Sequence, residues 1–198
     1  MADVVLVVAG IRELASGLDK TEREIDLALQ RSMNRTADKT RTHLSRMIRQ
    51  DVNLTASDLS PTGKRLFVAH RASAKDGGTM EVRIAGRGTP TSLARFAGNQ
   101  RRPKVRVKRA GIARYIPRTF IINLKNGNRG LAMRSEEKPS NAYKPKQMRN
   151  GLWLLYGPSI DQILMAASRE NGAFQDVEPW VAEQLEAEFW RLMNVEID

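Results

Sequence analysis

With 198 residues, 41% of them apolar and 28% charged, the chain suits one soluble globular domain, alone or with an arm, able to bury roughly 70% of its unfolded surface. It contains no Cys, which excludes disulfides, thiolate metal sites and Cys nucleophiles and fits synthesis in a reducing cytoplasm. The net charge of +11 is segregated: 13 basic against 11 acidic residues over 1–82 (+2), 18 against 2 over 83–150 (+16), and 2 against 9 over 151–198 (−7). An even +11 would mainly suggest a polyanion partner, whereas opposite charge at two ends of one chain can also join copies head to tail.

At the N-terminus the apolar run Val4–Val8 follows acidic Asp3 and is too short for a signal core or a membrane span, so it reads as a strand. Gly10 ends it, and Leu14 and Leu18 complete the apolar side of a short helix from Ile11. Asp19 or Thr21 offers the next N-cap, with Glu22 and Glu24 suited to the positive end of a helix dipole. Ile25, Leu29, Met33, Thr36, Thr40, Leu44, Met47 and Asp51 then step by three or four, with Ile48 and Val52 beside them, which predicts a long helix with one mostly apolar stripe. Its polar face carries Arg23, Arg31, Arg35, Lys39, Arg41, Arg46 and Arg49 and reads as the solvated side of a scaffold helix, with a nucleic-acid footprint as the alternative.

A turn after Asn53, a short capped helix near Thr55–Leu59 and a break at Ser60-Pro61 lead into strands. Residues 64–72 and 79–85 flank Asp76-Gly77-Gly78, a hairpin signature. Gly86–Pro90 ends the second strand, and Thr91 or Ser92 caps a short helix through Phe96. In an extended stretch over 102–108, Arg102, Lys104, Arg106 and Lys108 fall on one side and Pro103, Val105 and Val107 on the other, a cationic ladder with steps of roughly 6.6 Å. Such a ladder can track phosphates or sit against a row of carboxylates on a neighbour. No aromatic residue interleaves it, so stacking platforms for single strands are unsupported.

Residues 118–124 and 129–134 flank Lys125-Asn126-Gly127-Asn128, a second hairpin signal, with Phe120, Ile122 and Leu124 making one clearly apolar face and Thr119, Ile121 and Asn123 a mixed one. Residues 135–150 are polar and twice interrupted, by Pro139 and Pro145, and read as an exposed loop. A strand over Leu152–Tyr156 precedes Gly157-Pro158-Ser159, a helix start whose buried side is Ile160, Ile163, Leu164 and Ala167. The last helix runs from about Val177 on the seam Val181, Leu185, Phe189 and Leu192, with Trp180 and Trp190 close by. Glu178, Glu183, Glu186 and Glu188 coat much of its remaining surface and form an acidic face of the kind the ladder lacks in its own segment.

No catalytic constellation emerges. His43 and His70 lack metal-ligand spacing and a nucleophile tied to either, and the Met residues are scattered as gap-fillers rather than as a cofactor box. The chain reads as a non-enzyme without a cofactor. The fold class is α+β: a long N-terminal helix and C-terminal helices packed on a small antiparallel sheet, in a single domain 1–198 with an extended basic arm around 98–115 and a polar loop around 135–150.

Several segments together carry a resemblance. Ala28-Leu29, Met33-Asn34-Arg35-Thr36-Ala37, Pro117-Arg118-Thr119-Phe120-Ile121, Leu124-Lys125-Asn126-Gly127, Arg134 and Leu155-Tyr156-Gly157-Pro158-Ser159, in this order and spacing, resemble the lambda-type minor tail protein Z family of tailed bacteriophages over about residues 25–170. The resemblance implies a tail-completion or neck protein, made in the host cytoplasm and carried in the virion tail, forming hexameric rings that help join tail to head and let DNA pass. It implies the tail tube protein and head-tail connector proteins as partners, with non-specific contact to genomic DNA and no membrane. The chain departs from the family pattern in its acidic final helix.

In that setting Arg101, Arg102, Lys104, Arg106, Lys108 and Arg109 are the expected contacts to a partner or to DNA, and Glu178, Glu183, Glu186 and Glu188 the expected acidic surface between subunits. The alternative is a non-specific protein that grips the DNA backbone through its basic segment 83–150.

Overall fold

A computed structural model describes residues 3–7, 21–73, 80–98, 102–139, 143–148, 151–168 and 176–193. The helix expected from Ile11 and the turn at Asp76-Gly77-Gly78 lie outside them. β1 (Asp3–Val7) is followed by the longest element, α1 (Glu22–Asp51). Thr21 caps α1 by a reciprocal box: its hydroxyl accepts from the Glu24 N–H, while the Glu24 carboxylate accepts from the Thr21 N–H at 2.9 Å. Of the predicted stripe, Leu29, Met33, Thr36, Thr40, Leu44, Ile48 and Val52 are buried, Ile25 and Met47 are half-buried and Asp51 is exposed, while Ala28 and Ala37 join the buried side.

β2 (Leu66–His70) and β3 (Glu81–Gly86) pair antiparallel, and β1 pairs with the other edge of β3, giving a three-stranded sheet in the order β1-β3-β2 that packs against α1. β4 (Thr91–Ser92) leads directly into a 3-10 turn at Leu93–Arg95, in which the Ser92 hydroxyl accepts from the Ala94 N–H. β5 (Lys104–Val105) and β6 (Arg114–Tyr115) form a small two-stranded ladder. β7 (Thr119–Asn123) and β8 (Arg129–Arg134) make the second predicted hairpin, turned by Gly127 at φ 76°.

Within the expected loop one described stretch is a strand instead: β9 (Tyr143–Gln147) pairs with β10 (Leu152–Gly157). Pro145 is tolerated there because β9 is an edge strand and its register with β10 shifts between Leu154 and Tyr156, so a ladder hydrogen bond is not required at that point. Leu154 pairs with Ala132 of β8 and Lys146 of β9, so these strands flank β10, and β4 continues on the β8 side, where Ser92 faces Tyr156.

The strand registers decide which side of β7 meets the core. Ile121 lies opposite Leu131 and Thr119 opposite Met133, and Leu131 and Met133 in turn face Leu155 and Trp153. The mixed face of β7 therefore joins the main cluster, and Phe120 and Ile122 are left half-buried on the other face.

α2 (Ile160–Ala167) and α3 (Val177–Met193) complete the chain. One cluster gathers Leu44, Ile48, Leu66, Ile84, Leu131 and Leu155 with Val177 and Val181 of α3; a second joins Leu29 and Met33 to Val82, Leu185, Phe189 and Met193. The two helices are antiparallel, because the first half of α3 meets the second half of α1 and the second half of α3 meets the first.

Asp58, buried in the turn after α1, ties these layers together. Its carboxylate accepts from the Thr55 N–H and hydroxyl through one oxygen, and from Arg65 and Arg95 through the other.

At Gly86 the start of α2 lies directly on β3. A Cβ there would stand 2.7 Å from Leu164 Cδ1, 2.9 Å from the Asp161 nitrogen and 3.0 Å from the Ile160 carbonyl carbon. Since two of these neighbours are backbone, Gly86→Ala is expected to destabilise the fold by roughly 2–3 kcal/mol. A urea midpoint equal to that of the wild type would disprove the contact.

Candidate assembly interface

The cationic ladder is sewn to the domain rather than detached from it. On one side the Phe96 carbonyl accepts from the Arg106 N–H at 2.9 Å, and Ala97 bridges to Val105. Further along, the Asn53 N–H donates to the Val107 carbonyl at 2.8 Å and the Arg109 N–H to the Asp51 carbonyl at 2.7 Å, which fixes the stretch to the end of α1. Pro103 and Val105 are buried and Val107 is half-buried against the main cluster, so Arg102, Lys104, Arg106 and Lys108 are driven outward by alternation and all four are exposed. Arg109 is also exposed but sits in the turn closed by the Gly111 N–H to the Lys108 carbonyl, and Arg101 lies outside the described residues.

Two residues beside the ladder escape the sequence reading. Tyr115 pairs across the sheet with Lys104, so its ring stands on the cationic face with 42% of its surface exposed. Ile112, in the same excursion, is 81% exposed. The available signal was Ile112 itself, an aliphatic residue in an otherwise small and basic stretch, Arg109-Ala110-Gly111-Ile112-Ala113-Arg114.

The four expected carboxylates of α3 divide. Glu178, Glu183 and Glu186 are exposed, but Glu188 is buried and belongs to the interior of the chain, which corrects its place on an intersubunit surface. Its carboxylate meets Lys39 Nζ at 2.7 Å and Arg35 at 3.6 Å, both on α1, and Arg191 Nη2 at 2.9 Å on its own helix. Part of the basic face of α1 is thus paired with a carboxylate of α3 while its cations keep some contact with solvent. His43 stacks flat on Trp180 in the same seam, with centroids 4.3 Å apart.

Burial alone would raise the pKa of Glu188, but hydrogen bonds from Lys39 and Arg191 and their charges outweigh it, so the value is lowered. Asp58 follows the same balance: burial opposes its charge, and the donors of Thr55 together with Arg95 prevail. Carboxyls with folded pKa values below the unfolded ones contribute stability that is present above the ordinary range and lost as pH falls through the lowered values. The urea midpoint should therefore hold from neutrality to about pH 5 and fall below about pH 4. An Asp58→Asn, Glu188→Gln double variant should be less stable at neutral pH and show a shallower acid slope; a slope as steep as the wild type's refutes the assignment.

Among the described residues, none of Arg102, Lys104, Arg106, Lys108 and Arg109 forms an ion pair, nor does Glu178, Glu183 or Glu186. The ladder and the exposed acids of α3 therefore do not meet one another within the described residues. No group of His, Asp or Glu among the described residues is placed to hold a metal ion, and no helix there is long and apolar enough to cross a membrane.

Comparison with known proteins gives one family: the model described as prophage minor tail protein Z matches residues 8–197. No curated protein and no solved structure matches.

Proposed function

The chain belongs to the prophage minor tail protein Z family and is therefore a structural protein of a phage tail, and from that premise we propose that it is a ring-forming subunit at the head-proximal end of the tail. In this role it helps join tail to head and leaves a passage for DNA. The observation that carries the reading is the ladder: four cations held rigidly outward by a buried apolar side, with no acidic partner among the described residues of their own chain. A closed ring needs two different surfaces on each subunit, and separated positive and negative faces supply them. The ladder meets acidic surface on the next copy or on the tail tube.

A second reading rests on the same residues. Same-side cations roughly 6.6 Å apart on an extended strand can follow a phosphate backbone. On that reading the ladder steadies genomic DNA without sequence readout.

Sedimentation of the purified chain with and without duplex DNA, over a range of salt, separates the two. Ring-sized species that form equally well without DNA support the assembly role. A monomer that binds duplex DNA with submicromolar affinity and a steep salt dependence supports the second reading and removes the first.

A further inference from the structure

The loop that joins β5 to β6 puts apolar side chains beside the cations. Its turn is closed by the Gly111 N–H on the Lys108 carbonyl at 3.0 Å, and Ile112 follows directly with 81% of its surface exposed. Tyr115, three residues on, is 42% exposed and stands across the small sheet from Lys104. Neither belongs to the two core clusters. A single exposed apolar residue is ordinary on a protein surface. Two of them at one end of a row of exposed cations that form no ion pair among the described residues have the makeup of a protein interface, with aromatic and aliphatic contacts inside a charged rim.

We infer that Ile112 and Tyr115 are the anchors by which the ladder docks on α3 of a second copy of the chain, with Pro179 and Ala182 as the floor of the contact and Glu178, Glu183 and Glu186 as its acidic rim.

The anchors select protein over nucleic acid. A row of cations that follows phosphates gains nothing from an exposed aliphatic side chain, because a phosphate backbone presents no apolar surface to it. An apolar floor bordered by carboxylates satisfies both parts of the patch.

The outward side of α3 has that composition. Glu178, Pro179, Ala182, Glu183 and Glu186 are all exposed, and each lies three or four residues from another of them, so the two small apolar residues sit among the three acids. Small side chains leave room for a ring and a branched chain to lie close to the helix. None of the three glutamates forms an ion pair among the described residues, so their charge complements the ladder. The lengths agree as well. Glu178 and Glu186 lie roughly 12 Å apart along the helix axis, and Lys104 and Lys108 roughly 13 Å apart along an extended chain. Ladder and α3 are different surfaces of one chain, so their contact is head to tail, the kind that closes a ring. The inference rests on the ring reading and names the two surfaces that meet between neighbouring copies.

The test uses the full chain and sedimentation velocity. Ile112→Ser with Tyr115→Ser should weaken self-association at least about tenfold, and Ile112→Ser alone, at the most exposed position, should weaken it in the same direction. Near-ultraviolet circular dichroism should show the buried aromatic side chains packed as in the wild type. Lys104→Glu with Arg106→Glu, and separately Glu183→Arg with Glu186→Arg, should each weaken assembly as well. An equimolar mixture of these two charge variants should recover it, because reversed charges meet across alternate contacts, and a merely structural role gives no such recovery. Self-association of the Ile112→Ser, Tyr115→Ser variant at the strength of the wild type overturns the inference while leaving the ring reading intact. So does loss of duplex-DNA binding by that variant with self-association unchanged, which marks a nucleic-acid contact. Charge variants that weaken assembly but fail to complement each other also overturn it. A wild-type chain that stays monomeric overturns the ring reading and the inference together.

Discussion

Replacing Lys104, Arg106 and Lys108 together by Glu is expected to leave the monomer folded and remove it from assembled virions. All three side chains are exposed, and the contacts that hold their stretch in place are main-chain hydrogen bonds to Phe96, Asp51 and Asn53 together with the burial of Pro103 and Val105. None of these depends on side-chain charge. Exposed substitutions away from such features usually change stability by no more than about 0.5 kcal/mol each, and lower repulsion from nearby Arg109 and Arg114 works in the variant's favour. At an interface the sign is different: each reversed charge sets like against like, at a cost of several kcal/mol for a juxtaposed pair. The measurement is the amount of variant protein in purified particles after complementation, set beside its thermal unfolding as a free chain. Normal tails carrying a normal complement of the variant would sink the ladder as a contact surface.

The largest loss of stability is expected from Phe189→Ala, at roughly 3–5 kcal/mol. Phe189 is 1% exposed in the second cluster with Leu29, Met33, Val82 and Leu185, and it meets Trp190 edge-on with centroids 5.3 Å apart. Removing the ring takes away apolar burial and leaves a cavity between α1, α3 and β3. α1 and α3 are already held in register by the ion pairs of Glu188 and the stacking of His43 on Trp180, so they have little freedom to collapse into the gap. A natural domain is stable by only about 5–15 kcal/mol, so such a loss takes a large share of the total. It should lower the urea midpoint by on the order of 1–2 M without changing the slope. A loss under about 1 kcal/mol would mean that α3 is not a true part of the core.

Much of the architecture was legible where a local rule decides. Thr21 and Glu24 announce the start of α1 because a capping box needs only residues three apart, and Asn126-Gly127 announces the β7–β8 hairpin because the turn needs a positive φ. The outward direction of Lys104, Arg106 and Lys108 was legible for the same reason: Pro103, Val105 and Val107 supply the alternation. The strand status of Tyr143–Gln147 was not, since Pro145 and the surrounding polarity argue against a strand until β10 offers an edge and the shifted register makes room for the ring. Nor was the fate of Glu188, which on helical spacing alone is one more acid of α3 and becomes a buried partner only when the antiparallel packing brings Lys39 and Arg35 onto it.

The sequence by itself determined most of the helices and hairpin strands, the segregation of charge along the chain and the membership of the family, because each is written in spacing and composition over short stretches. Only the tertiary structure decided that the mixed face of β7 turns inward, that Glu188 is interior while Glu183 and Glu186 stay on the surface, and that Tyr115 stands beside Lys104 on the cationic face. Those outcomes depend on strand register and helix packing between residues far apart in the chain, and no local periodicity encodes which distant partner a side chain will meet.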